Sequence, residues 1–471
     1  MEAARRGSIS PAFLLPAALV VVLLPAALGS STTIFNDGDV SWHIATGEWI
    51  LDHRAIPHSD PFSFTWAGKP WVPIEWLAEV LMAGAYRLAG YGGVAALVTA
   101  ALVLLHAIVF FNAARFVRPW IAAASVVAMD LVLIPMMLAR PHLIAWVLVA
   151  FWTWLMLRAR EEGRAPPLAA ALLMVLWANL HGSFVIGLVI AGAFGVEALA
   201  AEPDRKRTLR QWLPFGAASV AFVVVNANGL EGVLHPLRIA NLEMLPLIAE
   251  WKPSNPTVTP FSFGVLALTL GLIAWKRPRQ HWVRWLLLAF LLLMALLQMR
   301  HQAVLAIVAA LLLPPAFTKD TAAFAGERRN AAAVALLAAG ALFVAVRAAM
   351  PVDLPYNSAN PWKLIAAVPP QLRSQPVLNG YGMGGPLILK GIRPYVDGRG
   401  DMYGDELVVG YRRIIDGDSA ALAEAVQRWD IGWAILPNRY GRLLATLDRS
   451  PEWQRIYKDE VGAIYVRRVS I

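Results

Sequence analysis

The residues able to do chemistry stand at the ends of apolar segments. Asp37 and Asp39 flank one glycine just after the first such segment, in the run Asn36-Asp37-Gly38-Asp39-Val40-Ser41-Trp42-His43. Glu75 closes the same connection. Later turns carry Arg140 and His142, Asn179 and His181, Asn226 and Asn228, Glu250-Trp251-Lys252, and Arg300-His301. A carboxylate within hydrogen-bond reach of a hydroxyl is a general base. A cation beside an imidazole suits an anionic phosphate, and that pairing occurs at both Arg140/His142 and Arg300/His301. Each residue also has a plainer reading. Asp39 can cap the helix that it begins. Asn and His at a turn often satisfy only the backbone around them. The recurrence on alternate turns favours a shared purpose, because the turns between them carry plain Lys and Arg.

Other chemistries have less behind them. Two acids one residue apart could bind a divalent cation, but His43, His53 and His58 lack the tight spacing of a metal site, so no metal or other cofactor is expected. The Gly380-Tyr381-Gly382-Met383-Gly384-Gly385 run has no P-loop or dinucleotide fingerprint around it and reads as a tight turn. The chain has no cysteine. Disulfides, thiolate metal sites and cysteine nucleophiles are therefore excluded.

These groups must be positioned by membrane helices. The 471 residues are 58% hydrophobic and 15% charged, with mean hydropathy +0.55. An ordinary soluble chain carries about 25% charge. The net charge of +9 is spread over short loops, which argues against a nucleic-acid binder. Eleven apolar stretches are predicted to span, near 11–29, 93–111, 119–138, 142–157, 167–180, 184–200, 212–226, 261–275, 282–298, 302–317 and 331–349. One set of connecting loops then holds eighteen Lys and Arg and the other seven. The positive-inside rule makes the richer set cytoplasmic, with the N-terminus inside and the tail outside. The first stretch also resembles a signal peptide, with Arg5 and Arg6 before it and Ala27-Leu28-Gly29 after. Outside lie a loop over 30–92 with amphipathic stretches at 41–53 and 74–88, a second loop over 227–260, and a tail over 351–471. The tail reads as a small α/β domain, with strands at 393–396, 433–436 and 463–467 and helices at 405–415 and 419–429. The chain thus divides into a membrane part, 1–350, and an extracytoplasmic α/β domain, 351–471.

The run from Asp37 through Leu77 resembles the first external loop of bacterial membrane proteins related to the GT-C glycosyltransferases, the superfamily of the protein O-mannosyltransferases and aminoarabinose transferases. Arg140-Pro141-His142, Trp177 to Gly182, Asn226 to Gly229, Glu250-Trp251 and Arg300-His301 look like later motifs of that group. So do Asn379 to Gly382 and Asp397-Gly398-Arg399 through Gly404. The resemblance covers most of the chain. It implies a GT-C-like helical bundle in the bacterial inner membrane. Such a bundle takes a sugar from a polyprenyl-phosphate donor and passes it, with inversion, to an acceptor hydroxyl of a glycan, lipid or protein. Asp37 or Asp39 would be the base, Asp37 before Asp39. Arg140, His142, Arg300, His301 and Lys252 would hold the lipid phosphate. Glu75 and Glu250 would bind sugar hydroxyls and Trp251 would stack on the ring, with His43, Asn179, His181 and Asn226 completing the substrate site. One departure stands out: the paired acids of many relatives appear here as Asp37-Gly38-Asp39.

Three rivals share these features. A transporter should show repeat halves and polar groups on both faces, and neither is seen. A lipid-linked glycan ligase or polymerase also uses external Arg and His but needs no acidic first loop. A non-catalytic assembly subunit could dispense with Asp37 and Asp39, which this chain retains.

Overall fold

Helix formation follows the apolar stretches, and their outward faces stay apolar. In the computed structural model the described residues are 11–239, 242, 248–318 and 328–468. Arg5, Arg6 and Lys319, counted above among the cytoplasmic cations, lie outside them. In order the helices are α1 (Pro11–Ser30), α2 (Asp39–His53), α3 (Trp76–Ala113), α4 (Pro119–Met136), α5 (Pro141–Glu161), α6 (Leu168–Leu180) and α7 (Phe184–Ala201). Then come α8 (Arg205–Phe222), α9 (Gly229–Ile239), α10 (Pro260–Lys276), α11 (Trp282–Leu297), α12 (Met299–Ala316) and α13 (Asn330–Ala349).

Seven of these, α1, α3, α4, α5, α7, α12 and α13, are long and apolar enough to cross a membrane. Helices α6, α10 and α11 are apolar but shorter. Helix α8, the seventh expected span, opens with Arg205, Lys206, Arg207 and Arg210 and belongs to neither group. Leu15, Leu213, Leu268, Trp275, Leu293 and Leu342 are each 55–72% exposed. Large apolar side chains at that exposure, on helix after helix, suit lipid rather than water.

Local sequence explains the irregular places. Helix α3 has 38 residues, where about 20 suffice to span. It bends at Ala89 and Gly90, the latter at φ +56°, which glycine adopts without a Cβ penalty. Residues before the bend pack against α2, and those after it are buried in the bundle core. Helix α1 carries a π-helical turn over Leu19–Leu23. The Val20 carbonyl there lies 2.8 Å from His106 Nδ1, whose Nε2 lies 3.0 Å from Asp130 Oδ1. This buried pair ties α1, α3 and α4 together.

Turns gather at two ends. At one, Glu197 takes Arg160 at 3.4 Å and Arg284 at 2.8 Å, while Arg115 reaches Glu161 at 2.6 Å. These are loops with the excess of cations, and a few of those cations are paired locally. The other end carries the long loops and the tail.

The tail folds around a four-stranded sheet of order β1-β2-β4-β3. Its elements are α14 (Trp362–Ala366), β1 (Val377–Asn379), α15 (Gly384–Leu389), α16 (Gly400–Ile415), α17 (Ser419–Trp429), β2 (Trp433–Pro437), α18 (Gly441–Arg449), β3 (Trp453–Lys458) and β4 (Gly462–Arg467). Strand β1 runs parallel to β2, and the other pairs are antiparallel. The strand expected at 393–396 does not join the ladder. Pro394 makes one bridge to Val377, and the Tyr395 amide donates to the Asn379 side chain at 2.8 Å instead.

Candidate active site

Arg140 sits just before α5, in extended backbone, because Pro141 starts that helix and disfavours helical geometry in the residue before it. Its guanidinium meets Asp37 at 3.2 Å, Asp39 at 3.1 Å and Glu250 at 3.2 Å. Three carboxylates from two loops thus surround one cation. Asp37 Oδ1 also accepts the Asp39 amide at 3.0 Å. Capping of α2, expected of Asp39, falls to Asp37 instead. Burial pushes the Asp39 carboxyl up to about 7, with Asp37 adding to the effect and Arg140 opposing it. Glu250 is held below the usual carboxylate range, chiefly by Arg140. One acid is therefore poised near neutrality while its neighbour Glu250 stays ionised.

A second group lies alongside. Glu75, just before α3, reaches His181 at 3.3 Å through one oxygen and His43 at 4.0 Å through the other. His43 Nδ1 lies 3.3 Å from Glu79 Oε1. Burial raises the Glu75 carboxyl to about 7, against the pull of Arg140 and Arg300. Burial also drives His43 well below its ordinary value, helped by Arg140, His142 and His181. His43 is thus a neutral imidazole between two acids, and its Nε2 has no direct hydrogen-bond partner among the described residues. Mutual fields link the groups: Glu75 feels Arg140, Arg300, Asp401 and Glu250. Such a chain can hold or move a proton.

Arg300 stacks on Trp251 with its guanidinium 4.2 Å from the ring centroid. Among the described residues it makes no ion pair, whereas Arg140 is saturated with carboxylates. Arg300 is therefore the cation freer to meet an anion. The remaining expected residues are satisfied closer to home. His142 Nε2 lies 2.8 Å from the Met136 carbonyl, and His301 Nε2 lies 3.1 Å from Gln298. The two cation–imidazole pairs expected from the sequence therefore have one nitrogen of each imidazole turned to a local partner. Asn226 bonds Val223 and Gly229 carbonyls, a turn-closing role. Asn179 accepts from Trp76 Nε1 at 2.7 Å and donates to the Val225 carbonyl at 3.0 Å, fastening α3 to α6 and the end of α8. Lys252 is exposed, and its carbonyl accepts the Met299 amide at 2.9 Å.

The tail closes over this end. A Cβ on Gly38 would overlap the Gly382 carbonyl, one on Gly385 the Gly38 carbonyl, and one on Gly398 the Asp39 carboxylate. The glycine run thus serves close approach to the acidic turn. Arg399 anchors the same contact. It donates to Asp60 at 2.7 Å and to Asp397 at 2.8 and 2.7 Å, all three nearly inaccessible. Tyr403 donates to Asp397 at 2.6 Å, and Thr65 to the Tyr395 carbonyl at 2.7 Å. Asp397 stays below its ordinary value despite burial, because Arg399 offsets the desolvation.

Sequence reasoning missed Glu79, which sits inside an apolar helix. The signal was there: a lone acid on a buried helix face usually has a partner. No group of three or more His, Cys, Asp or Glu with metal-holding geometry occurs among the described residues. The chain matches no protein-family model and no curated protein.

Proposed function

We propose that this end of the bundle transfers a sugar from a polyprenyl-phosphate donor to an acceptor hydroxyl, at the extracytoplasmic face of a bacterial inner membrane. The observation that carries the reading is Arg140 gathering Asp37, Asp39 and Glu250 at the end where Arg300 stacks on Trp251. In this scheme Asp39 accepts the acceptor's proton, since a base works best with a pKa near the operating pH. Asp37 and Arg140 fix its orientation. Arg300 meets the lipid phosphate and stabilises the charge that grows there as the sugar–phosphate bond breaks. Glu250 offers hydrogen bonds to sugar hydroxyls, and Trp251 offers a ring face. The membrane supplies the donor's lipid tail with a path along the exposed apolar helices. No cofactor is needed for this chemistry.

The test is transfer by the purified full chain from a polyprenyl-phosphate sugar, with Asp39→Asn as the diagnostic variant. Loss of about 100- to 10,000-fold in turnover, with expression and helical content kept, is expected of a positioned base. A lipid-linked glycan ligase would use the same cations and the same face. Its reaction would survive Asp39→Asn and Asp37→Asn together, which separates the two readings.

A further inference from the structure

Two half-open cavities lie away from the acids, one where α3 meets the tail and one within the tail. One, of about 210 Å³, is lined by Tyr86, Tyr91, Leu354, Trp362, Leu389 and Lys390. The other, of about 310 Å³, shares Trp362 and Lys390 and adds Arg373. The two thus border on one tryptophan and one lysine. No carboxylate lines either. Lys390 is exposed, and its ammonium stands 5.5 Å from the Trp362 ring. The Trp362 indole N–H is buried with no hydrogen-bond partner among the described residues. The place itself indicates a membrane surface. Tyr86 and Tyr91 straddle the bend at Ala89 and Gly90, and Leu88 between them is 88% exposed. Tyrosine and tryptophan favour the headgroup layer, where one end of the ring is wet and the other apolar.

From these features we infer that the groove binds the headgroup of an acidic phospholipid. The phosphate would take Lys390, Arg373 and the Trp362 N–H, and Tyr86, Tyr91, Leu354 and Leu389 would line the glycerol and the start of the chains. Volumes of this size fall at or below the lower end for small-molecule sites, about 300 Å³. They suit a headgroup with its acyl chains left in the bilayer. Basic pockets at membrane depth recognise acidic lipids in this way. The bound lipid would bridge α3 and the tail, fixing the tail on the membrane surface. The inference does not depend on sugar transfer.

The experiment uses the full chain in detergent with photo-crosslinkable phosphatidylglycerol and, in parallel, phosphatidylcholine, and maps adducts to peptides. Phosphatidylglycerol adducts should concentrate on the peptides holding Tyr86, Tyr91 and Trp362. Lys390→Gln and Arg373→Gln should each weaken that labelling roughly fivefold, the worth of one interfacial cation. Equal labelling by the two lipids at these peptides, or unchanged labelling in both variants, overturns the assignment. So does full displacement by inorganic phosphate, which would mark a site for a soluble anion. Should either charge variant fail to fold, Trp362→Phe keeps an aromatic face there and removes the indole N–H. It too must lose phosphatidylglycerol labelling for the assignment to stand.

Discussion

Gly398 of the tail lies so close to the Asp39 carboxylate that a single added methyl would overlap Oδ1. The proposed base is thus shaped by a residue more than three hundred positions further along the chain. Replacing Gly398 with Ala should push the two apart. Overpacking of this kind typically costs about 1–3 kcal/mol. The expected result is faster proteolysis of the tail and a fall in any Asp39-dependent rate, with the helical content of the bundle unchanged by circular dichroism. Normal tail protection in Gly398→Ala would mean the contact is looser than described.

Asp39 and Glu75 both titrate near 7 when folded and near 4 when free. A carboxyl whose folded value is raised keeps its proton in the native state while the unfolded chain has lost it. Stability contributed this way is present below about pH 4 and falls as pH rises toward about 7. Asp39→Asn and Glu75→Gln should each flatten the decline of thermal midpoint across that window. In transfer assays the sign is opposite, because the base must be ionised. Rate should climb through neutrality and level above it. Midpoint curves for the variants that parallel wild type would contradict the raised values.

Arg399 neutralises Asp60 and Asp397 in a site closed to solvent. Arg399→Leu would strand two buried carboxylates. Breaking one buried pair from one side costs about 3–5 kcal/mol, so this variant should lower the midpoint steeply or fail to assemble the tail. Adding Asp60→Asn should recover part of the loss. A double variant no better than the single one would place the cost elsewhere.

His106→Leu probes the bundle interior. Asp130 Oδ2 already lacks a hydrogen-bond partner, and this change removes the partner of Oδ1 as well. A loss of about 3–5 kcal/mol is expected, read as early thermal aggregation in detergent. His106→Gln, which can still donate to Asp130, should be milder. By contrast Asn226→Ala removes only local turn bonds, each worth about 1 kcal/mol, and should leave transfer intact.

Much of this arrangement was legible in the sequence. Apolar length located seven helices long enough to span and three shorter ones, but not α8, whose first turns are basic. The polar residues of the turns do meet, since Arg140 touches Asp37, Asp39 and Glu250. What escaped was side-chain direction. His142 and His301 each turn one ring nitrogen to a local oxygen, because a neighbour reached through one turn of chain wins over a distant one unless burial decides otherwise. The role of the glycines was also hidden. Spacing alone does not distinguish a turn from a place where two backbones touch. Short strands β1 and β3 carried no alternation strong enough to reveal them, as β1 is buried throughout and β3 is exposed after Trp453.

The ion triad has a consequence for how the chain is made. Asp60 and Arg399 are 339 residues apart. Throughout most of synthesis the loop before α3 has left the ribosome and still lacks its counterion. The loop cannot bury Asp60 with its counterion until the tail has been made and has docked on it. Truncation before Arg399 should therefore yield an inserted but unfinished protein, its acidic turn open to quality-control proteases, and completion of the site would report completion of the whole chain.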